Sequence, residues 1–288
     1  MLIREKGGSR VGRKFNREEV IDRLRAELAR GALIFEAAVG TGISAKWSEA
    51  GGADLIATYN IAKYRMMGYS RVGYLPIGDA NQIVLDLGRR EIFPVLRAVP
   101  LIAGIFGADP TRDMQTYLDE IASIGFSGVL NCPTLALVDG NFRRRLEESG
   151  FGYQREVDMI AVAHQKGLFT QSFVTNEEET EKMLNAGVDM IICHLGGTQP
   201  AKDTSRDSQI RDAAKSIQQI FNAAFKIRDD VLLGCHGGPI AFPEDVEALK
   251  ALASELQVFL GGSSAERLPV EMPIKETVQR FKGIPAGR

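Results

Sequence analysis

Two Cys-His-x-Gly runs, Cys193-His194-Leu195-Gly196 and Cys235-His236-Gly237-Gly238, hold two of the three histidines in this 288-residue chain. A neutral imidazole near pH 7 can move a proton or bind a metal, so His194 and His236 are candidate catalytic groups. Glu36 stands in Leu33-Ile34-Phe35-Glu36-Ala37-Ala38, a run otherwise wholly apolar. A carboxylate there is costly unless paired or used. It could be a general base, or hold a divalent ion such as Mg²⁺. Asp109 is a candidate second ligand, although its place before Pro110 also fits a helix cap. Four glycine-bearing corners could offer backbone N–H groups to an anion: Gly40-Thr41, Gly197-Thr198, Gly237-Gly238 and Gly261-Gly262-Ser263-Ser264. Asn60 and Asn131 stand at comparable positions and join them as candidate substrate-binding residues.

Structural readings compete with each of these. Either histidine could pin a loop, and Glu36 could sit in an internal salt bridge. Side chains alternate faces along a strand, so a regular strand turns only one member of each Cys-His pair inward. Histidine inward and cysteine outward is the chemically sensible choice, since free cysteine packs as a small apolar residue. A zinc site from these residues matches no compact zinc spacing. No Walker loop, dinucleotide fingerprint or Gly-x-Ser-x-Gly elbow is present, so neither a nucleotide cofactor nor Ser-His-Asp hydrolysis is expected.

The elements that must position these groups repeat one unit: an apolar run, a polar corner, an amphipathic stretch. The runs are Leu33–Ala38, Leu55–Tyr59, Leu101–Phe106, Gly128–Leu130, Leu168–Phe173, Met190–Cys193, Val231–Cys235 and Val258–Leu260. Most are continuously apolar, as strands buried on both faces of a parallel sheet require. Eight such units in this length predict an α/β (β/α)₈ TIM barrel, whose active site lies at the C-terminal ends of its strands. The chemistry-bearing residues above cluster at those ends. An open doubly wound sheet would need an edge strand, and no run reads as one.

Between the strands, Asn16 with Glu19 predicts a capping box for an N-terminal helix, with Phe15 and Val20 as its staple. Asp109-Pro110 predicts the start of a helix ending at Gly125, and Thr175 with Glu178 predicts another capping box. Thr277–Phe281 predicts a short last helix. Residues 59–78, with Tyr64, Met66, Met67, Tyr69 and Tyr74, predict an elaborated loop after strand two, either a lid or a subunit contact. Residues 1–15 read as a flexible arm and residues 16–288 as one barrel domain.

Composition narrows the class of partner. Hydrophobic residues make up 44%, charged residues 25%, and the net charge is −2. Arg10–Lys14 and Arg143–Arg145 are small basic clusters without a nucleic-acid module, so no nucleic acid is expected. The absence of an 18-residue apolar run predicts no membrane span. Three cysteines without a framework fit a reducing, cytoplasmic setting.

The stretches Ile34–Gly42, Asp54–Asn60, Asn131–Thr134, Cys193–Thr198 and Gly234–Pro239 resemble the phosphoenolpyruvate hydrolase-like family, also described as TIM-barrel signal transduction proteins. The likeness runs from about residue 16 to residue 282. It implies a barrel, a homo-oligomer and a distant relation to the phosphoenolpyruvate mutase and isocitrate lyase enzymes, which act on small oxyacids with magnesium. Two functions follow as expectations. One is an enzyme cleaving or hydrolysing a C–C or P–O bond of a small phosphorylated or carboxylated oxyacid. The other is a ligand-sensing or assembly domain without turnover.

Overall fold

The computed structural model describes residues 14–69, 77–200 and 205–286. Eight parallel strands close into a barrel in sequence order: β1 (Ile34–Ala38), β2 (Leu55–Thr58), β3 (Leu101–Gly104), β4 (Gly128–Leu130), β5 (Phe169–Val174), β6 (Met190–His194), β7 (Leu232–His236) and β8 (Val258–Gly261). All eight apolar runs are strands, with ends moved by at most two residues. β1 pairs with β8 through Ile34 and Val258, which removes both sheet edges. Strand residues alternate between two cores. Ile34, Leu55, Ile102, Leu130, Phe169, Met190, Ile192, Leu232, Val258 and Leu260 fill the barrel. Their neighbours, such as Ala37, Val129, Ile191, Cys193, Leu233 and Cys235, pack under the helices.

α1 (Arg17–Ala29) begins at the expected Asn16–Glu19 capping box, and Phe15 and Val20 are both buried beneath it. Arg17 anchors the helix to the barrel floor through a two-pronged bond to Asp189. The β2–β3 connection is the elaborated one. It holds α3 (Asn60–Met66) and α4 (Ala80–Asp86), the latter running on as a π-helical turn, Leu87–Ile92. Tyr64 Oη donates to Ile77 O at 2.8 Å, while Tyr74, residues 1–13 and most of the Arg10–Lys14 cluster lie outside the described residues.

The remaining helices are α2 (Gly42–Ala50), α5 (Met114–Ile124), α6 (Gly140–Glu148), α7 (Gln154–Gln165), α8 (Glu177–Asn185), α9 (Arg206–Phe225), α10 (Pro243–Leu252) and α11 (Arg267–Lys282). Three expectations about them change. α5 starts at Asp113, whose carboxylate takes Thr116 N, because Asp109 is already spent on the turn at Thr111. α8 is capped one residue later than expected, by Asn176 onto Glu179 N. The last helix is sixteen residues long, not five, and none of its residues is buried. Arg143 bonds Glu147 and faces the Tyr153 ring, so it belongs to local packing. No described helix is long and apolar enough to cross a membrane.

Candidate functional site

A cavity of about 340 Å³ opens at the C-terminal end of the barrel. Its floor is Tyr59, Cys132 and Phe173; its walls are Ile61, Arg65, His194, Gly197–Pro200, His236, Ser263 and Arg267. His194 and His236 close their strands side by side in register. Their ring centroids are 4.9 Å apart at 70°, and Phe173 packs against both at 4.7 and 5.3 Å. Alternation along the strands therefore places the histidines toward the cavity and leaves Cys193 and Cys235 in the strand–helix layer.

Backbone groups hold each ring. Gly196 N donates to His194 Nδ1 at 3.0 Å, and His236 Nδ1 lies 2.8 Å from Leu260 O. Burial lowers both pKa values, His236 to about 4 and His194 well below its ordinary value, with the neighbouring imidazole adding to the latter. Both rings are neutral at pH 7. Burial pushes the Cys193 thiol up to about 12 and those of Cys132 and Cys235 well above the usual range, so none is a ready thiolate.

Arg65, buried on α3, reaches across to Glu266 at the foot of α11, with Nη2 and Nε at 2.6 and 3.0 Å from Oε2. Its Nη2 also donates to Ala38 O, and the other Glu266 oxygen accepts from Gly40 N at 2.7 Å. One carboxylate thus ties β1, α3 and the β8 corner together. Arg267 follows on the rim, held by Ser263 and Glu271. Among the described residues, the lining contains two arginines and no carboxylate.

The expected site residues divide accordingly. His194, His236, Gly197, Thr198 and Ser263 share the cavity, and Gly262 lies beside it. A side chain at Gly262 would put its Cβ 2.8 Å from His236 Cε1. The others sit outside its lining. Gly40 lets α3 approach, since a Cβ there would stand 2.1 Å from Ala62 O. Thr41 caps α2 through Ser44, and Asn60 opens α3. Asn131 faces away from the barrel, donating to Glu156 and accepting from Phe173 N. Gly237 and Gly238 take positive φ values of 80° and 58° so that the β7 corner can bond Gly196. Gly261 packs on Phe35, and Ser264 Oγ is buried away from the cavity lining.

Glu36 points into the barrel beneath the cavity and accepts from Gln171 Nε2 at 2.7 Å. Burial raises its pKa to about 8. Asp109 lies elsewhere, its carboxylate taken by Thr111, Asn81 and Arg112. The two expected ion ligands do not share a site, and among the described residues no three His, Cys, Asp or Glu side chains stand close enough to hold a metal. Mg²⁺ held by Glu36 and Asp109 does not fit: Glu36 is enclosed beneath the cavity against Gln171, and Asp109 is bonded elsewhere to Thr111, Asn81 and Arg112.

Arg65, Arg267 and Glu266 were not legible as site residues, and Tyr59 was legible only as the end of a strand. Arg65 and Glu266 meet across 201 residues of sequence. Only the unusual length of the β2–β3 connection pointed toward that region.

Solved structures share the architecture. A phosphonopyruvate hydrolase in complex with oxalate and Mg²⁺ superposes with a TM-score of 0.59 at 18% identity, covering 91% of this chain and 87% of that one. A 2,3-dimethylmalate lyase gives 0.56 at 14% identity, covering 93% and 89%. At such identities the likeness establishes the fold alone. The ToMV susceptible protein tm-1(GCR26) of Solanum lycopersicum is 42% identical over 267 residues, covering 92% of this chain. The ToMV resistance protein Tm-1(GCR237) of the same plant is 42% identical over 270 residues, covering 93% of this chain. This chain spans only 35% and 36% of those two proteins. Residues 19–284 match the phosphoenolpyruvate hydrolase-like family over nearly the whole barrel, and the chain belongs to it.

Proposed function

We propose that the chain is an enzyme acting on a small carboxylated or phosphorylated oxyacid, cleaving or hydrolysing a C–C or P–O bond in the His194–His236 cavity. The observation that carries this reading is the lining itself: two arginines, two neutral histidines, Thr198 and Ser263, with no carboxylate among the described residues. Arginine forks suit carboxylate and phosphate groups, and a neutral histidine can take part in proton transfer. Gly197 and Gly262 keep the corners low enough for an anion to approach. Glu36 serves here as a support beneath the floor, since its proton stays on at neutral pH and it does not line the cavity.

Calorimetry with oxalate and phosphoenolpyruvate, followed by turnover assays on small oxyacids, tests the reading. Binding to the native chain is expected to weaken at least tenfold in Arg267→Ala, with an unchanged circular dichroism spectrum. An absence of both binding and turnover for every oxyacid tried would remove the proposal. A second reading, a ligand-sensing domain without turnover, draws on the missing acidic cluster among the described residues. Tight binding with no chemistry would favour it.

A further inference from the structure

The two histidines of the cavity are neighbours with opposite hydrogen-bond obligations. Leu260 O can only accept, so His236 Nδ1, 2.8 Å away, must carry the proton. A neutral His236 therefore presents a bare lone pair at Nε2. Gly196 N–H can only donate, so His194 Nδ1, 3.0 Å away, must be unprotonated. A neutral His194 therefore presents an N–H at Nε2. The same strand-end geometry, in register on adjacent strands, has produced one acceptor and one donor. Both rings are buried to the same degree, 8% exposed, against Phe173. That apolar packing, which keeps both uncharged, also prevents either ring from exchanging its backbone partner without breaking a buried bond.

We propose that the rings divide the work: His236 Nε2 is the base that takes a proton from the bound acid, and neutral His194 Nε2–H is a hydrogen-bond donor to the oxygen on which charge develops. This assignment rests on the oxyacid reading of the cavity. In a 2-oxo acid, the C3–H bond breaks and its proton goes to His236 Nε2. The electron pair moves through the new C2–C3 double bond onto the carbonyl oxygen, where His194 Nε2–H stabilises it. His236 becomes an imidazolium whose Nδ1–H still donates to Leu260 O. Returning the proton restores both partners, with no oxidant or reductant consumed. His194 gives up no proton, because losing one would leave an imidazolate. A neutral donor of this kind is a known device for polarising a carbonyl. Arg65 and Arg267 remain to hold the acid's carboxylate.

Long-range ¹H–¹⁵N spectra of the intact protein at pH 7.5 read the tautomers directly. His164→Gln, His194→Gln and His236→Gln assign the three ring systems. His194 is expected protonated at Nε2 and His236 at Nδ1; the same tautomer for both, or a doubly protonated ring, overturns the proposal. Deuterium exchange into the pyruvate methyl group, followed by proton NMR in D₂O, reads the roles. His236→Gln is expected to lose at least 100-fold. His194→Gln, which keeps an N–H at the corresponding position, is expected to retain more exchange than His194→Ala. Equal loss in both His194 variants, or a fully active His236→Gln, contradicts the assignment. If oxalate binds and moves the ring signals but the tautomers are wrong, this division of labour fails while the oxyacid reading stands. If neither oxalate nor pyruvate perturbs either ring, both fall.

Discussion

At the residue scale, burial decides the behaviour of the ionisable groups. Glu36 holds its proton to about pH 8, against 4.5 for the free side chain. The folded chain thus binds more protons than the unfolded chain between those values, and stability falls as pH rises through that window, at no more than about 1.4 kcal/mol per pH unit. Glu156, raised to about 7, acts in the same direction. His236, lowered to about 4, acts in the opposite one: its contribution is lost as pH drops from the ordinary histidine range toward 4. Glu36→Gln removes that loss while keeping an amide to pair with Gln171. Urea unfolding from pH 5 to pH 9 is expected to show a flatter profile for this variant, with an advantage over the native chain that grows from pH 5 to about 8 and then levels off. Parallel curves would contradict a neutral Glu36. The Arg65–Glu266 pair tests the other extreme. Glu266→Gln leaves a guanidinium buried without its counter-charge, and denaturation is expected to report a loss of about 3–5 kcal/mol.

At the scale of elements, the eight strands were legible because a parallel barrel needs continuous apolar runs. Both faces of each run must be covered, so the pattern survives without knowledge of the partner. The corners were less legible. Gly237-Gly238, Gly40 and Asn131 carry the residue types of an anion site, yet they serve loop and helix contacts. A glycine that admits a ligand and one that admits a neighbouring backbone look alike in sequence. Gly262 is the corner glycine whose missing side chain leaves room for the His236 ring. Gly262→Ala is expected to retain the fold but push the His236 ring aside, weakening oxalate binding at least tenfold by calorimetry. Native affinity in this variant would show that the His236 ring position does not matter to binding.

At the scale of the whole molecule, α11 is a sixteen-residue helix with no buried residue. Met272, Ile274, Val278, Phe281 and Ile284 are each more than half exposed. Ile274, Val278 and Phe281 fall at i, i+4 and i+7 on one face of α11, and an exposed apolar face of that kind marks association, in keeping with the homo-oligomer that the family resemblance implies. Light scattering is expected to give a mass above 31.5 kDa, reduced toward the monomer by Val278→Asp with Phe281→Asp. A monodisperse native monomer would refute this. The cavity's charge makes a second expectation. With arginines in place of paired carboxylates, oxalate affinity should be the same in EDTA and in millimolar Mg²⁺; a strong gain with Mg²⁺ would show that an ion site forms on binding.

Periodicity, taken alone, determined a closed eight-stranded barrel with its Gly, Asn, Cys and His corners at one end, and required that one member of each Cys-His pair face inward without saying which. Those follow from short-range rules: strand alternation, burial on two faces, capping chemistry. Tertiary structure alone decided that Glu36 is sealed below the cavity, that Asp109 is occupied elsewhere, and that Arg65, Glu266 and Arg267 surround the histidines. Which charges meet depends on ring closure between residues some two hundred positions apart, and one-dimensional spacing carries no trace of that distance.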